Sequence, residues 1–287
     1  MILELNQTLK SLGRSEAKAL FGKITKEYEN YVEVNDKKIN QAGLIRKAYK
    51  EIKNYKIKGT FKIINSTKEN IEKHTYNFKQ QGNKVSITNP DNKIVIKNEK
   101  VLKLIWENKE DFKSRKSHLR IKNKPLGINP KIARAMINIA NEENITDPFC
   151  GTGGIILEGL IVNKKMTGID IDPEMINITK KEIEKINKED KTILKVANST
   201  NIKIKTNAIV TDIPYGKNSK TTNTQEHIIN ELLKNTTAKK AIICKKKSDK
   251  QLKIPKNWKI TGKHELYVHK SMTREILELV NTRINTL

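Results

Sequence analysis

The sequence predicts an α/β protein. A mostly parallel, doubly wound sheet is expected over residues 128–287, with antiparallel strands at its C-terminal end, preceded by a smaller α+β module over residues 1–107. Three observations carry this. Beyond Asn129, short apolar runs alternate with helical patterns, as strands alternate with crossover helices. Before residue 108, helical spacing and period-two alternation are mixed. Between them, residues 108–127 are polar and positive, and read as a linker.

In the first module, Ala17, Leu20, Phe21 and Ile24 are spaced as one face of a helix, with Ser15 and Glu16 suited to its start. Leu44, Ile45, Ala48, Tyr49 and Ile52 give a second helical pattern. Tyr55, Ile57, Phe61 and Ile63 then alternate with polar residues, the signature of a half-buried strand. Ser66 and Glu69 match a capping box opening another helix. Val85 and Ile87 lead to a turn at Asn89-Pro-Asp-Asn, and Ile94–Ile96 resumes as a strand.

In the second module, Asn129-Pro130 caps a helix through Ile132, Ala133, Met136, Ile137 and Ala140. Strands follow at Ile145–Phe149, Met166–Ile171, Ile193–Ala197, Ala208–Asp212 and Ala238–Cys244. Helices are expected at Ile155–Leu160, from Asp172-Pro173 to about Asn187, and near His227–Lys234. Leu266–His269 and Thr273–Val280 close the sheet as an antiparallel pair.

The 287 residues are 36% hydrophobic and 31% charged, with 13 Gly and 7 Pro, which excludes collagen-like and low-complexity classes. No apolar run reaches the roughly 18 residues of a membrane span, and no secretory leader is visible, so a soluble cytoplasmic protein is expected. Cys150 and Cys244 cannot form a disulfide framework, and the five His show no metal spacing; no metal is expected. Lys and Arg outnumber Asp and Glu by 57 − 32 = 25. The excess is spread along the chain and favours an extended polyanion such as nucleic acid. Only 7 of the 57 are Arg, so compositional drift toward Lys accounts for the same charge.

Three motifs sit where strands of such a sheet would end. The first runs Asp147-Pro-Phe149-Cys150-Gly151-Thr152-Gly153-Gly154. It lacks both the GxGxxG of dinucleotide sites and the Gly-Lys-Ser/Thr of phosphate loops. An acid before the glycines repels phosphate and suits an amine, which fits S-adenosylmethionine; Cys150 reads as a packing residue. The second, Gly168-Ile-Asp170-Ile171-Asp172, places Asp170 to accept from a ribose diol and Asp172 mainly to cap the helix at Pro173. The third is Thr211-Asp212-Ile213-Pro214-Tyr215-Gly216.

This third motif resembles the [Asp/Asn/Ser]-Pro-Pro-[Tyr/Phe] motif of methyltransferases that alkylate exocyclic amines of nucleobases. By that resemblance Asp212 and the Ile213 carbonyl accept from the amine, Pro214 shapes the turn, and Tyr215 stacks on a base swung into the pocket. The chain more narrowly resembles the archaeal tRNA (guanine(10)-N2)-methyltransferases. The matching stretches are VSITNPDNKIVI, SRKSHLRIKNKPLGINPKIARAMINIA, DPFCGTGGIILEG, GIDIDPEM, VTDIPYG and YVHKSMTREI, covering roughly Lys84 to the C-terminus. The resemblance implies a Rossmann-like methyltransferase preceded by a THUMP-like RNA-binding module. It also implies S-adenosylmethionine as cofactor, N2 of guanosine 10 in tRNA as acceptor, and room for a small accessory activator subunit. Ile171 and Asn198 would then flank the adenine, with Ser199 beside them. Ile213 stands where the first Pro is usual, and Asn198 where an Asp commonly binds the adenine amine.

Arg120, Lys122 and Lys124, then Lys245, Lys246 and Lys247, and lastly His269 and Lys270 are the candidate RNA contacts; solvated lysines and a hairpin turn are the plain alternatives. Two rival functions stay open. One is an amino-methyltransferase on rRNA guanine or DNA adenine, since the third motif is shared. The other is a non-catalytic RNA-binding protein on a degenerate methyltransferase fold.

Overall fold

A computed structural model describes residues 1–37, 39–97, 99–121, 127–214, 224–248, 252–270 and 272–284. The chain divides into two compact units, Met1–Lys109 and Glu110–Leu287.

The first unit contains β1 (Ile2–Leu5), α1 (Lys10–Phe21), β2 (Ile24–Glu27), β3 (Tyr31–Val34), β4 (Ile45–Glu51), β5 (Phe61–Ile63), α2 (Lys68–Gln80), β6 (Asn92–Lys97) and β7 (Lys100–Glu107). Its sheet runs β2-β3-β1-β4-β7-β6-β5. Only β5 and β6 pair in parallel; the other neighbours are antiparallel. Alternation puts Leu3, Leu5, Val32 and Ala48 in one core cluster with Ala17 and Phe21 of α1. Phe61, Ile94 and Val101 pack on Phe78 of α2. The opposite residues Ile2, Tyr49, Val95 and Leu102 form a third cluster.

Several expectations change here. Ile45–Glu51 is a strand, not a helix. The period-3.6 reading of Leu44, Ile45, Ala48, Tyr49 and Ile52 fails because Ile45, Ala48 and Tyr49 bury their side chains on two faces of a central strand. The strand expected from Tyr55 shortens to Phe61–Ile63, since Asn54 and Tyr55 both turn at positive φ. Val85 contributes only an isolated bridge to Phe61. The cap of α2 is Thr67, one residue past the Ser66 of the box, accepting from the Asn70 amide.

The second unit holds α3 (Pro130–Ala140), β8 (Asn144–Asp147), α4 (Gly154–Ile161), β9 (Lys165–Asp170), α5 (Pro173–Glu184), β10 (Thr192–Val196), β11 (Ala208–Asp212), α6 (Gln225–Lys234), β12 (Lys240–Lys246), β13 (Trp258–His269) and β14 (Met272–Asn281). The order is β10-β9-β8-β11-β12-β14-β13. The first five strands are parallel and the last two antiparallel, as the sequence predicts. Asn129 caps α3 with Pro130 in its first turn, and Asp172 caps α5 in the same manner with Pro173.

Residues 110–121, expected as part of a linker, pack inside this unit. Arg115 donates to the fully buried Glu158 of α4 at 2.7 Å, and Arg134 of α3 meets the other oxygen of Glu158 at 2.7 Å. Phe112 lies under the guanidinium groups of Arg115 and Arg134. The Ile121 amide donates to Glu182 of α5. No helix of the described residues is long and apolar enough to cross a membrane.

Candidate active site

Because β9, β8, β11 and β12 run parallel as neighbours, their C-terminal ends share one edge of the sheet. Three carboxylates sit there: Asp170 ends β9, Asp147 ends β8 and Asp212 ends β11. The charges of Asp212 and Asp170 both act on Asp147. The three motifs, spread over more than sixty residues, thus converge on one edge.

Asp147 is only 1% exposed. Its Oδ1 accepts from the Thr211 hydroxyl at 2.7 Å and the Phe149 amide at 3.2 Å. Burial pushes its carboxyl up to about 7, against those two hydrogen bonds. The turn that follows is held from several sides. Asp170 Oδ2 accepts from the Gly151 amide and its Oδ1 from the Asp172 amide, both at 2.9 Å. Thr179 of α5 donates to the Gly151 carbonyl, and the buried Ser199 donates to the Pro148 carbonyl at 2.7 Å. Gly151 and Gly153 take φ of +50° and +82°, where side chains are strained. A Cβ on Gly153 would strike Thr179, whereas one on Gly151 would meet nothing within 4 Å. Gly151 therefore borders open space.

These residues fit S-adenosylmethionine. Each oxygen of Asp170 has accepting capacity left for a ribose hydroxyl. Next to it Ile171 is 55% exposed, an apolar surface open to a ligand's ring. The open side of Gly151 admits close approach by a ligand. Asn198 is exposed, but its side-chain carbonyl accepts from the Thr200 amide and hydroxyl, so its amide NH2 is the group left to meet a ligand. Ser199 acts on the turn rather than on open space. Cys150 is buried and its thiol pushed well up by burial, which makes it a packing residue.

At Asp212 burial raises the carboxyl, and the Arg274 guanidinium of β14, which donates to Oδ1, lowers it. Ile213 is fully buried in the core under α6, and its amide donates to the Cys244 carbonyl at 2.8 Å. A Pro at 213 would forfeit that bond, so the departure from the double-Pro pattern has a local compensation. Pro214 is half-buried, and Tyr215 lies outside the described residues.

The candidate RNA contacts separate. Arg120 is turned onto the Gly-rich turn, donating to the Thr152 carbonyl at 2.8 Å and hydroxyl at 3.0 Å, and burial lowers its pKa. Its guanidinium is engaged by the Gly-rich turn. Lys245 is 4% exposed and paired with Glu275 at 2.5 Å, which takes it out of reach of a phosphate. Lys247 is exposed and paired with Glu265. Lys246, His269 and Lys270 are exposed, while Lys122 and Lys124 fall outside the described residues. Arg274 is the residue the sequence reading missed. It lies within the stretch YVHKSMTREI, but nothing local links it to Asp212, 62 residues earlier.

Known proteins align with this arrangement. The tRNA (guanine(10)-N2)-dimethyltransferase of Methanocaldococcus jannaschii is 31% identical over 214 residues, covering 67% of this chain and 59% of that one. The Pyrococcus abyssi protein of the same name is 33% identical over 178 residues, covering 56% and 54%. The chain thus spans a little over half the length of these relatives. TrmN from Thermus thermophilus superposes with a TM-score of 0.50 at 12% identity, covering 98% of this chain and 99% of that one. SMU.472, solved in complex with SAH, gives 0.51 at 12% identity over 96% and 97%. At such identities the likeness speaks for the fold, which is that of the Rossmann-like methyltransferases. The family model for the RMKL-like methyltransferase domain matches residues 117–276, more than half of the chain and every motif at the strand edge. By that match, the chain belongs to the RMKL-like methyltransferase-domain family.

Proposed function

We propose that the protein methylates the exocyclic N2 amine of guanosine in tRNA, at position 10, using S-adenosylmethionine. The observation that carries this is the placement of Asp212 on the same sheet edge as the Gly-rich turn and Asp170. The relatives' names supply the nucleic acid and the position.

When bound, S-adenosylmethionine supplies an activated methyl group on a sulfonium. The protein's own part is binding, orientation and charge. Asp170 holds the ribose and Ile171 lies along the adenine, while Asp147 and residues 151–154 shape the methionine end. An exocyclic amine is a poor nucleophile because its lone pair is delocalised into the ring. Asp212 and the Ile213 carbonyl accept its N–H bonds, localise that pair and stabilise the positive charge that develops on nitrogen. Asp212 then takes the proton the amine releases. Tyr215 stacks on the base, and Lys246, His269 and Lys270 approach the backbone. The first unit serves as a THUMP-like grip on the tRNA, in the cytoplasm.

The test is methyl transfer from labelled S-adenosylmethionine to unmodified tRNA transcripts by the purified chain alone, with nucleosides identified by mass spectrometry. Asp212→Ala should lose at least ~100-fold in turnover while binding cofactor nearly as tightly as wild type. Label in N2-methylguanosine that survives in this variant would remove Asp212 from the mechanism. Turnover without added protein would show that no accessory subunit is required.

A further inference from the structure

The carboxylate at the end of β11 has a partner on β14, two strands along the sheet. Asp212 aligns with Cys244 of β12, and Cys244 with Ile276 of β14, while Arg274 aligns with Lys246. Arg274 therefore stands two residues past the row of Asp212, on the same face. Its Nη2 reaches back across β12 to Asp212 Oδ1. The side chains are 8% and 18% exposed, so the pair is largely withdrawn from water.

Such a pair is costly. Two charges lose their hydration, and an apolar pair of similar volume is often as stable or more so. This one lies at the edge where the three motifs converge, and it engages one oxygen of the proposed acceptor. We propose that Arg274 is a positioning residue for methyl transfer: it fixes the Asp212 carboxylate through Oδ1, leaves Oδ2 to accept from the substrate amine, and supplies the counter-charge for the ionised form. The inference rests on the function proposed above.

The charged surroundings show why this counter-charge matters. On β8, Asp147 shares the edge and its carboxyl is raised in part by the charge of Asp212. On β12, the Cys244 thiol is pushed up by burial and stays neutral, and Lys245 is paired with Glu275 of β14. Burial already raises Asp212, with Arg274 as the opposing cause. Without the guanidinium, the carboxylate would take up a proton at higher pH and could no longer accept an N–H of the amine at Oδ2 or the proton it releases.

Arg274→Met keeps length and removes charge; Arg274→Lys keeps charge and loses the planar fork. In the pH–rate profile of methyl transfer, the acid limb of Arg274→Met should move up by about one unit or more. Turnover should fall at least ~10-fold on that limb and partly recover in alkali, with cofactor affinity unchanged. Arg274→Lys should hold the limb near wild type with a smaller drop in kcat. A merely structural role would lower the whole profile without moving its limb, and that result overturns the proposal. Carboxyl 13C NMR titration, with the Asp212 signal assigned by its loss in Asp212→Asn, reads the same shift without turnover. If wild type moves no methyl to RNA, the proposed function fails, and this titration still decides the role of Arg274: an unmoved midpoint overturns it. If Arg274→Met does not fold, Arg274→Lys decides: kcat and acid limb both equal to wild type overturn the proposal.

Discussion

The two units each build a seven-stranded sheet, yet they use buried acids differently. In the first unit Glu16 of α1 is fully buried and accepts from the amides of Gly43 and Leu44 at 2.6 and 2.7 Å. Glu4 accepts from Tyr49 and pairs with Lys97 and Arg46. These carboxylates hold loops and strands in place. In the second unit Asp147, Asp170 and Asp212 gather at one edge, with accepting capacity still available at Asp170 and Asp212. The difference follows from strand direction. Parallel strands bring all their C-terminal ends to one side, where polar groups from distant parts of the chain meet. Antiparallel neighbours alternate ends, so the first sheet scatters its own.

The largest effect expected is at a structural acid of the second unit. Glu158→Ala leaves Arg115 and Arg134 without the carboxylate between them, and should cost about 3–5 kcal/mol by urea denaturation. A loss below about 1 kcal/mol would mean that Glu110, which also meets both arginines, carries the cluster.

Next comes the pH dependence of Asp147. Its folded pKa is raised to about 7, above the ordinary carboxylate range, so the folded state holds the proton more tightly than the unfolded chain. Its contribution to stability is full below about pH 4, declines as pH rises toward 7, and is flat above that. Asp147→Asn should lack this decline and gain up to about 4 kcal/mol over wild type at pH 8, less at pH 5. Equal differences at the two pH values would show that Asp147 is ionised in the fold at both.

The smallest effect belongs to the first unit. Glu16→Ala strands two backbone donors and should cost about 2 kcal/mol, read as a lower denaturation midpoint. Hydrogen exchange at Gly43 and Leu44 should rise in this variant while the strand-edge turn of the second unit is unaffected. Faster exchange at Gly151 as well would show that the two units unfold together.

The second unit was far more legible in the sequence than the first. Its strands at Met166, Ile193 and Ala208 are apolar runs bounded by Gly, Asp or Asn, and its helices carry caps at Asn129 and Asp172. In the first unit, β1, β2, β3 and β7 escaped prediction. β1, β2 and β3 are only four residues long, β7 places its charges at Lys100, Lys103 and Glu107 with no period of two, and β4 buries residues on both faces, which imitates a helical period. At the site, Asp147, Asp170, Asp212 and the glycines were readable because each belongs to a contiguous motif. The tasks of Arg120 and Lys245 were not, because a basic residue looks the same whether it faces RNA, a turn carbonyl or a buried glutamate.

By itself the sequence determined the α/β order of the second unit, the Gly-rich turn, and the three acids that end its strands. Local spacing and side-chain chemistry suffice for these, since turns, caps and strand ends are set by near neighbours. Only the tertiary structure decided that Arg274 meets Asp212, that Ser199 holds the Pro148 carbonyl, and that residues 110–121 are drawn in by Glu158 and Glu182. Those contacts join positions dozens of residues apart, and what fixes them is strand order and the cost of leaving a buried charge without a partner.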